Sequence, residues 1–249
     1  MAHLLRTPNL PDAPVCHGLI ARSFFSLLAE PLARYGVQAL PAPVTSTLPP
    51  PIREHADMNC RHLGGEALVV FQNAAVPHAL SQIGLKMIPS DRPGGGQYPL
   101  DAALNVLLLS GYAFHKAGIT DPRLQQLLDT HGYTLKTVAQ GYTACSSAIV
   151  DEHALITADP KIAQAAKAVG IDVLQIQPGF IDLPGYPYGF LGGACGKIAP
   201  NCLAFTGQLT HHPDYHQILA FLSAHHVEPV FLTDRPCFDC GGILPITQQ

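Results

Sequence analysis

Four stretches of the chain carry side chains able to do chemistry. His55-Ala56-Asp57 sets an imidazole and a carboxylate two residues apart. In an extended segment both fall on one face, so the carboxylate can orient the ring or grip a cation beside it. Cys145, in Thr143-Ala144-Cys145-Ser146-Ser147, heads an apolar run. A thiol there becomes a nucleophile when a nearby imidazole or cation lowers its pKa. Cys195, inside Gly192-Gly193-Ala194-Cys195-Gly196, and Cys240, beside Asp239, are rivals for the same role. Gly192 and Gly193 allow a backbone to come close to a ligand, and Asn105 offers a neutral amide at the head of another apolar run. Each reading has a plainer alternative. His55 and Asp57 also fit a solvated turn after Pro49-Pro50-Pro51, a free Cys packs as a small hydrophobe, and Asn satisfies backbone at strand starts.

Metal and phosphate chemistry find less support. Cys237-Phe238-Asp239-Cys240 is one Cys-x-x-Cys, and His211-His212 and His225-His226 are tandem pairs that point in diverging directions. A structural zinc takes four convergent ligands, usually from two spaced pairs. Asp91-Arg92-Pro93-Gly94-Gly95-Gly96 lacks the Lys-Ser/Thr ending of a phosphate loop and reads as a lid or connector. No metal and no organic cofactor is expected.

Composition narrows the rest. Of 249 residues, 47% are apolar and 13% charged, with a formal net charge of −4. That argues against disorder, and against a nucleic-acid partner, which needs a basic surface. No apolar run reaches the ~18 residues of a membrane span. The N-terminus has no continuous apolar segment before a cleavage site, so no secretory signal is expected. Seven cysteines, an odd number spread thinly, read as reduced thiols in a cytoplasmic protein.

The elements that must position these residues recur. Cys145–Val150 and Ala154–Thr157 are β-favouring runs around a turn. Asp159-Pro160 caps and starts a helix whose apolar stripe is Ile162, Ala165, Ala166 and Val169, Gly170 stops it, and Asp172–Ile176 is the next strand. The unit is β-β-α-β. A second copy has Asn105–Leu109, Tyr112–Phe114, the start Asp121-Pro122, the stop Gly132 and the strand Tyr133–Val138. A third has Asn201–Thr206, a helix opened at Pro213-Asp214 and Val230–Leu232. A weaker fourth runs from Met58 through Ala67–Phe71 to Lys86–Ile88. The C-terminus ends in strand material, Phe238 to Ile246, without a helix. The N-terminus begins with a helix candidate (Ile20, Phe24, Leu27, Leu28) and the strand Val37–Leu40. The two ends therefore complete a fifth unit. The expectation is one domain, residues 1–249: a five-unit pseudo-symmetric α/β propeller, closed by pairing of N- and C-terminal segments. An open doubly wound sheet is the competing architecture, but it needs crossovers where this sequence has hairpins.

A five-unit ββαβ ring resembles the guanidino-group-modifying enzyme (pentein) fold of arginine deiminases, amidinotransferases, dimethylargininases and agmatine deiminases. The strings HADM (His55–Met58), YPLDAALN (Tyr98–Asn105), QGYTACS (Gln140–Ser146), ITAD (Ile156–Asp159), PGYPYGFLGGACG (Pro184–Gly196) and CGGILPITQQ (Cys240–Gln249) resemble an uncharacterised domain family assigned to that fold. The resemblance implies covalent catalysis: a Cys attacks a guanidinium carbon, a His moves protons and carboxylates hold the cation. The sequence departs from that plan. Where agmatine deiminase-like enzymes carry a His-Cys pair before Thr-Gln-Gln, this chain has Leu244-Pro245-Ile246 before Thr247-Gln248-Gln249, and Gly189–Gly196 holds no His. The expectation is thus a hydrolase or transferase acting on a small polar or cationic metabolite. In it Cys145 is the nucleophile, His55 the proton carrier, Asp57 and Asp239 the cation holders, and Asn105, Gly192 and Gly193 complete the wall. The alternative is a non-catalytic small-ligand-binding protein on the same propeller fold. A scaffold for a partner is a third option, and the low charge content leaves room for a homodimer face that no residue locates.

Overall fold

The structure is a computed structural model that describes residues 2–249. In chain order, β1 (His3–Leu4), β2 (Val15–Ile20), α1 (Phe25–Ala33) and β3 (Gln38–Pro41) come first. Next are α2 (Ala56–Asn59), β4 (Cys60–His62), β5 (Ala67–Val70), α3 (Ala79–Gln82) and β6 (Lys86–Pro89). Then follow β7 (Leu107–Leu109), β8 (Tyr112–Lys116), α4 (Pro122–Thr130) and β9 (Thr134–Val138). After them come β10 (Ser147–Asp151), β11 (Ala154–Thr157), α5 (Pro160–Lys167) and β12 (Asp172–Gln175). Last are β13 (Cys195–Ala199), β14 (Cys202–Phe205), α6 (Tyr215–Ala224), β15 (Glu228–Phe231) and β16 (Leu244–Gln248).

Local chemistry sets the helices. Asp121 accepts hydrogen bonds from the backbone N–H of Arg123 and Leu124, and Asp159 does the same for Lys161 and Ile162, each ahead of a Pro in the first turn. Gly132 and Gly170 follow the helices with φ of +79° and +84°, a conformation that costs other residues strain. Asp214 precedes α6 but does not cap it. Its carboxylate instead accepts the Gln177 backbone N–H at 2.7 Å, tying the loop after β12 to the next unit.

Five small sheets result, and four of them share one pattern. A first strand pairs antiparallel with a second, and the second pairs parallel with the third after the helix. The other sheet has the order β1-β16-β2-β3. There β16 pairs antiparallel with β2 (Leu244 opposite Leu19), and β2 pairs parallel with β3 (Leu19 opposite Leu40). The C-terminal strand thus occupies the place that the first hairpin strand holds in the other sheets, with β1 added at the edge.

Two local expectations are corrected. Ile20 lies at the end of β2, not in a helix, and α1 starts at Phe25. Val15, Gly18, Leu19 and Ile20 are all buried, so this run behaves as a strand packed on both faces rather than as one stripe of a helix. His55–Met58 is not extended either. His55 has β-region backbone angles and precedes the one-turn α2, whose first turn contains Asp57.

The core consists of five apolar clusters, each between two sheets. Leu19, Leu244 and Ile246 meet Leu68, Val70 and Leu80. Val69 and Phe71 meet Leu108, Leu124 and Leu128. Phe114 and Leu109 meet Leu155, Ile162 and Val173. Val150 and Ile156 meet Leu203, Phe205 and Leu222. Ile198 and Ala204 meet Val15, Leu28 and Leu32. Each fully buried Leu, Ile or Phe in them is worth about 1.5–3 kcal/mol of transfer free energy.

Candidate active site

Where the strand beginnings converge, two cavities open. The inner one, about 60 Å³, is lined from all five sheets and the segments leading into them: Asp57 and Arg61, Leu107, Ser147 and Ile149, Cys195 and Lys197, and Gly241 to Pro245. The outer one, about 230 Å³, is lined by His55, Cys145 and Asp239 under Tyr142, Tyr186, Tyr188 and Phe190, with Ile52, Met58 and Leu183 as its apolar floor.

His55 is buried, and its Nδ1 lies 3.6 Å from Asp239 Oδ1, longer than a hydrogen bond but within reach of an ion pair. Its Nε2 has no hydrogen-bond partner among the described residues. Burial lowers the pKa of His55 and the nearby Asp239 opposes that fall, so the ring is neutral near pH 7. Asp239 is fixed by backbone: Oδ2 accepts the Phe190 N–H at 2.9 Å and Oδ1 the Gly241 N–H at 3.0 Å. Gly193 passes so close that a Cβ on it would stand 2.2 Å from Asp239 Oδ1. Gly192 is equally constrained, since its Cβ would meet the carbonyl oxygens of Ser147, Ala144 and Cys145 at 2.4, 2.6 and 2.7 Å. The sequence reading makes these glycines room for a ligand. In the structure the room is taken by neighbouring backbone and by Asp239.

The Cys145 thiol is buried and donates toward Asn105 Oδ1 at 3.5 Å, with the Tyr142 carbonyl at 3.7 Å. Burial raises its pKa well above the ordinary thiol value, and Asp57 and Asp239 add to the rise. It is therefore a neutral thiol, and no hydrogen bond joins it to His55. Cys195 and Cys240 are buried too, and burial raises both. Cys195 lines the inner cavity, whereas Cys240 lines neither.

Asp57 and Asn105 take places that the sequence reading does not give them. Asp57 faces the inner cavity, not the one that holds His55, because the helical turn at α2 replaces the alternation of a strand. Burial pushes its pKa up to about 8, Asp239 adding to the rise and Arg61 opposing it. Asn105 lines neither cavity. Its Nδ2 donates to the Asp57 carbonyl at 3.0 Å, and its Oδ1 accepts the backbone N–H groups of Ala144 and Cys145 at 2.9 and 3.3 Å. One buried amide thus fixes the segments carrying Asp57 and Cys145 to each other.

Sequence reasoning missed the aromatic wall. Tyr142 packs on Tyr98 at 4.9 Å and on Phe190 at 6.2 Å, and Tyr188 stands edge-on to Phe190 at 88°. Tyr142 donates its hydroxyl to Asp101 Oδ2 at 2.7 Å, which fixes the ring. Tyr186 and Tyr188 stay 38% and 43% exposed at the mouth, which leaves ring faces free for a ligand. The signal was in Gly141-Tyr142 and in Tyr186-Pro187-Tyr188-Gly189-Phe190, where aromatic residues cluster beside glycines. Among the described residues no group of three or more His, Cys, Asp or Glu side chains is arranged to hold a metal ion. Among the same residues no helix is long and apolar enough to cross a membrane.

Five small sheets, four of them ββαβ units, define a mixed α/β fold that resembles that of amidinotransferases and a dimethylarginine dimethylaminohydrolase. The inosamine-phosphate amidinotransferase StrB1 of Streptomyces griseus superimposes with a TM-score of 0.54 at 11% identity, over 96% of this chain and 94% of that one. SxtG, an amidinotransferase from Microseira wollei in the saxitoxin biosynthetic pathway, gives 0.56 at 10% identity, over 95% and 96%. The dimethylarginine dimethylaminohydrolase of Pseudomonas aeruginosa, as a mutant complexed with citrulline, gives 0.51 at 12% identity, over 88% and 93%. The chain itself belongs to a family of unknown function (DUF6873), whose sequence model matches residues 19–244. No curated protein matches it by sequence.

Proposed function

We propose that the chain, residues 1–249, is one domain in which the five sheets close into an α/β propeller, and that the outer cavity performs hydrolysis or group transfer on a small guanidino or amidino metabolite. Closure is supported by the pairing of β16 with β1 and β2, by the five clusters linking successive sheets, and by an inner cavity with contributions from all five. One observation carries the chemical reading: a single cavity of about 230 Å³ gathers Cys145, His55 and Asp239 beneath four aromatic rings. Aromatic faces and a buried carboxylate both attract a planar cation.

In this reading the cation lies against Asp239 and the tyrosines. Its charge offsets the burial and the Asp239 field that keep Cys145 protonated, so the thiol loses its proton to the neutral His55 as the substrate binds. The thiolate attacks the electrophilic carbon and an S–C bond forms. The C–N bond to the leaving amine breaks as His55 returns the proton to that nitrogen. Water, in a hydrolase, or an acceptor amine, in a transferase, then attacks the same carbon. The S–C bond breaks and one proton released by the incoming nucleophile restores the thiol; in the hydrolase the second proton of water passes to the released amine, giving the ammonium. Asp57 does not touch the substrate here; by way of Asn105 it acts through position. A cytoplasmic setting belongs to the same reading and rests on the seven dispersed cysteines.

Binding without catalysis is the second reading, favoured by the Cys145–Asn105 contact, which leaves the thiol without a base. Alkylation separates the two. With a small cationic ligand present below saturation, mapping modification of all seven thiols by mass spectrometry should show Cys145 activated above the others, and His55→Ala should abolish that activation. Uniformly slow thiols with ligand bound would leave only the binding reading.

A further inference from the structure

The inner cavity holds two buried cations with no carboxylate in ion-pair contact. Arg61 is 2% exposed and Lys197 3%. Arg61 donates from Nε to the Leu104 carbonyl at 3.1 Å and from one terminal nitrogen to the Asp57 carbonyl at 3.3 Å. Lys197 Nζ donates to the Val150 carbonyl at 2.5 Å. Among the described residues, no carboxylate oxygen lies within 4.0 Å of either cation. Among the described residues the Ser147 hydroxyl, buried in the same wall, has no hydrogen-bond partner, and neither do the two carboxyl oxygens of Asp57. An uncompensated charge away from water costs several kcal/mol, and a guanidinium does not escape that cost by losing its proton.

We propose that the inner cavity binds a small monovalent anion between the Arg61 guanidinium and the Lys197 ammonium, with the Ser147 hydroxyl as a third donor. Space suits a small ion: about 60 Å³ holds one such as chloride or formate, since one water needs roughly 10–15 Å³. Charge sets the sign, because two cations face one carboxyl group. Asp57 does not repel the anion, since burial keeps it a neutral acid that can donate a hydrogen bond. The inference rests on the inner cavity alone, and it stands or falls apart from the reaction assigned to the outer one.

The test uses the full-length protein and chloride. Thermal unfolding is followed while sodium chloride replaces sodium gluconate, a far bulkier anion, at constant ionic strength. The expected result is a saturable rise of the wild-type midpoint with chloride. Ser147→Ala should weaken the half-saturating concentration by about threefold and Lys197→Met by about tenfold or more. Crystals grown in sodium bromide should show an anomalous peak at ~3.3 Å from Lys197 Nζ and the Arg61 guanidinium, a charge-assisted contact for that larger ion. A midpoint indifferent to chloride, the same response in both variants, or bromide found only elsewhere would overturn the site. Should Lys197→Met fail to fold, Ser147→Ala and the bromide peak still decide the question.

Discussion

Asp57→Asn replaces a buried acid by an amide of the same shape that cannot ionise. Burial lifts the Asp57 pKa from 3.8 to about 8. A native state that holds a proton more tightly than the unfolded chain loses stability as pH rises. The contribution is fully present below pH 4, shrinks between pH 4 and 8, and is gone above. The gap is about 4 pH units, and about 1.4 kcal/mol per unit puts the ceiling near 6 kcal/mol. Hydration and local relaxation around a buried charge reduce that, and we expect about 3 kcal/mol. Urea unfolding of both proteins from pH 4.5 to pH 9 is the assay. Wild type and variant should agree within about 0.5 kcal/mol at the acidic end, and the variant should be the more stable by about 3 kcal/mol at the alkaline end. Parallel pH profiles would refute the reasoning, because Asp57 would then be solvated or paired rather than sealed in the inner cavity.

Other perturbations test neighbouring parts of the site. Asn105→Ala removes the acceptor for the Ala144 and Cys145 N–H groups and the donor to the Asp57 carbonyl, and three buried bonds at about 1 kcal/mol each predict a loss of ~3 kcal/mol. That is a fall of about 6–12 °C in Tm for a chain of this size, read by calorimetry. Gly193→Ala drives a methyl group into the Asp239 carboxylate and should cost about 1–3 kcal/mol in urea unfolding, with reaction of Cys145 toward cationic reagents lost as Asp239 moves. Ile246→Ala empties a fully buried position where the C-terminal strand meets Leu68 and Val70, and should cost about 2–5 kcal/mol; a loss below about 0.5 kcal/mol would mean that β16 does not seal that junction.

What the sequence reveals here follows the range of the forces involved. The helix starts at Asp121-Pro122 and Asp159-Pro160 and the stops at Gly132 and Gly170 are legible because capping involves only a few neighbouring residues. The missing half unit at one terminus and its complement at the other are legible because the repeat has a fixed order. The segment Val15–Ile20 is not, since its apolar residues continue smoothly into those of α1 and only pairing with β16 and β3 makes it a strand. His55 and Asp57 are identified as polar residues near the strand beginnings, but a turn of helix sends them to different cavities. Gly193 and Asp239, 46 positions apart, carry no local sign that one exists to admit the other. The same is true of Tyr186, Tyr188 and Phe190, whose loop meets Tyr142 only in three dimensions.

The most direct measurement compares two alkylating reagents of nearly equal size, 2-chloroacetamidine and 2-chloroacetamide, one cationic and one neutral. After normalisation to a free thiol in solution, Cys145 should react at least about tenfold faster with the cationic reagent, equivalent to ~1.4 kcal/mol from the carboxylate and the ring faces. Asp239→Asn should bring that preference close to unity. Equal rates in the wild type, or a different cysteine reacting first, would contradict a cation-binding cavity built around Cys145.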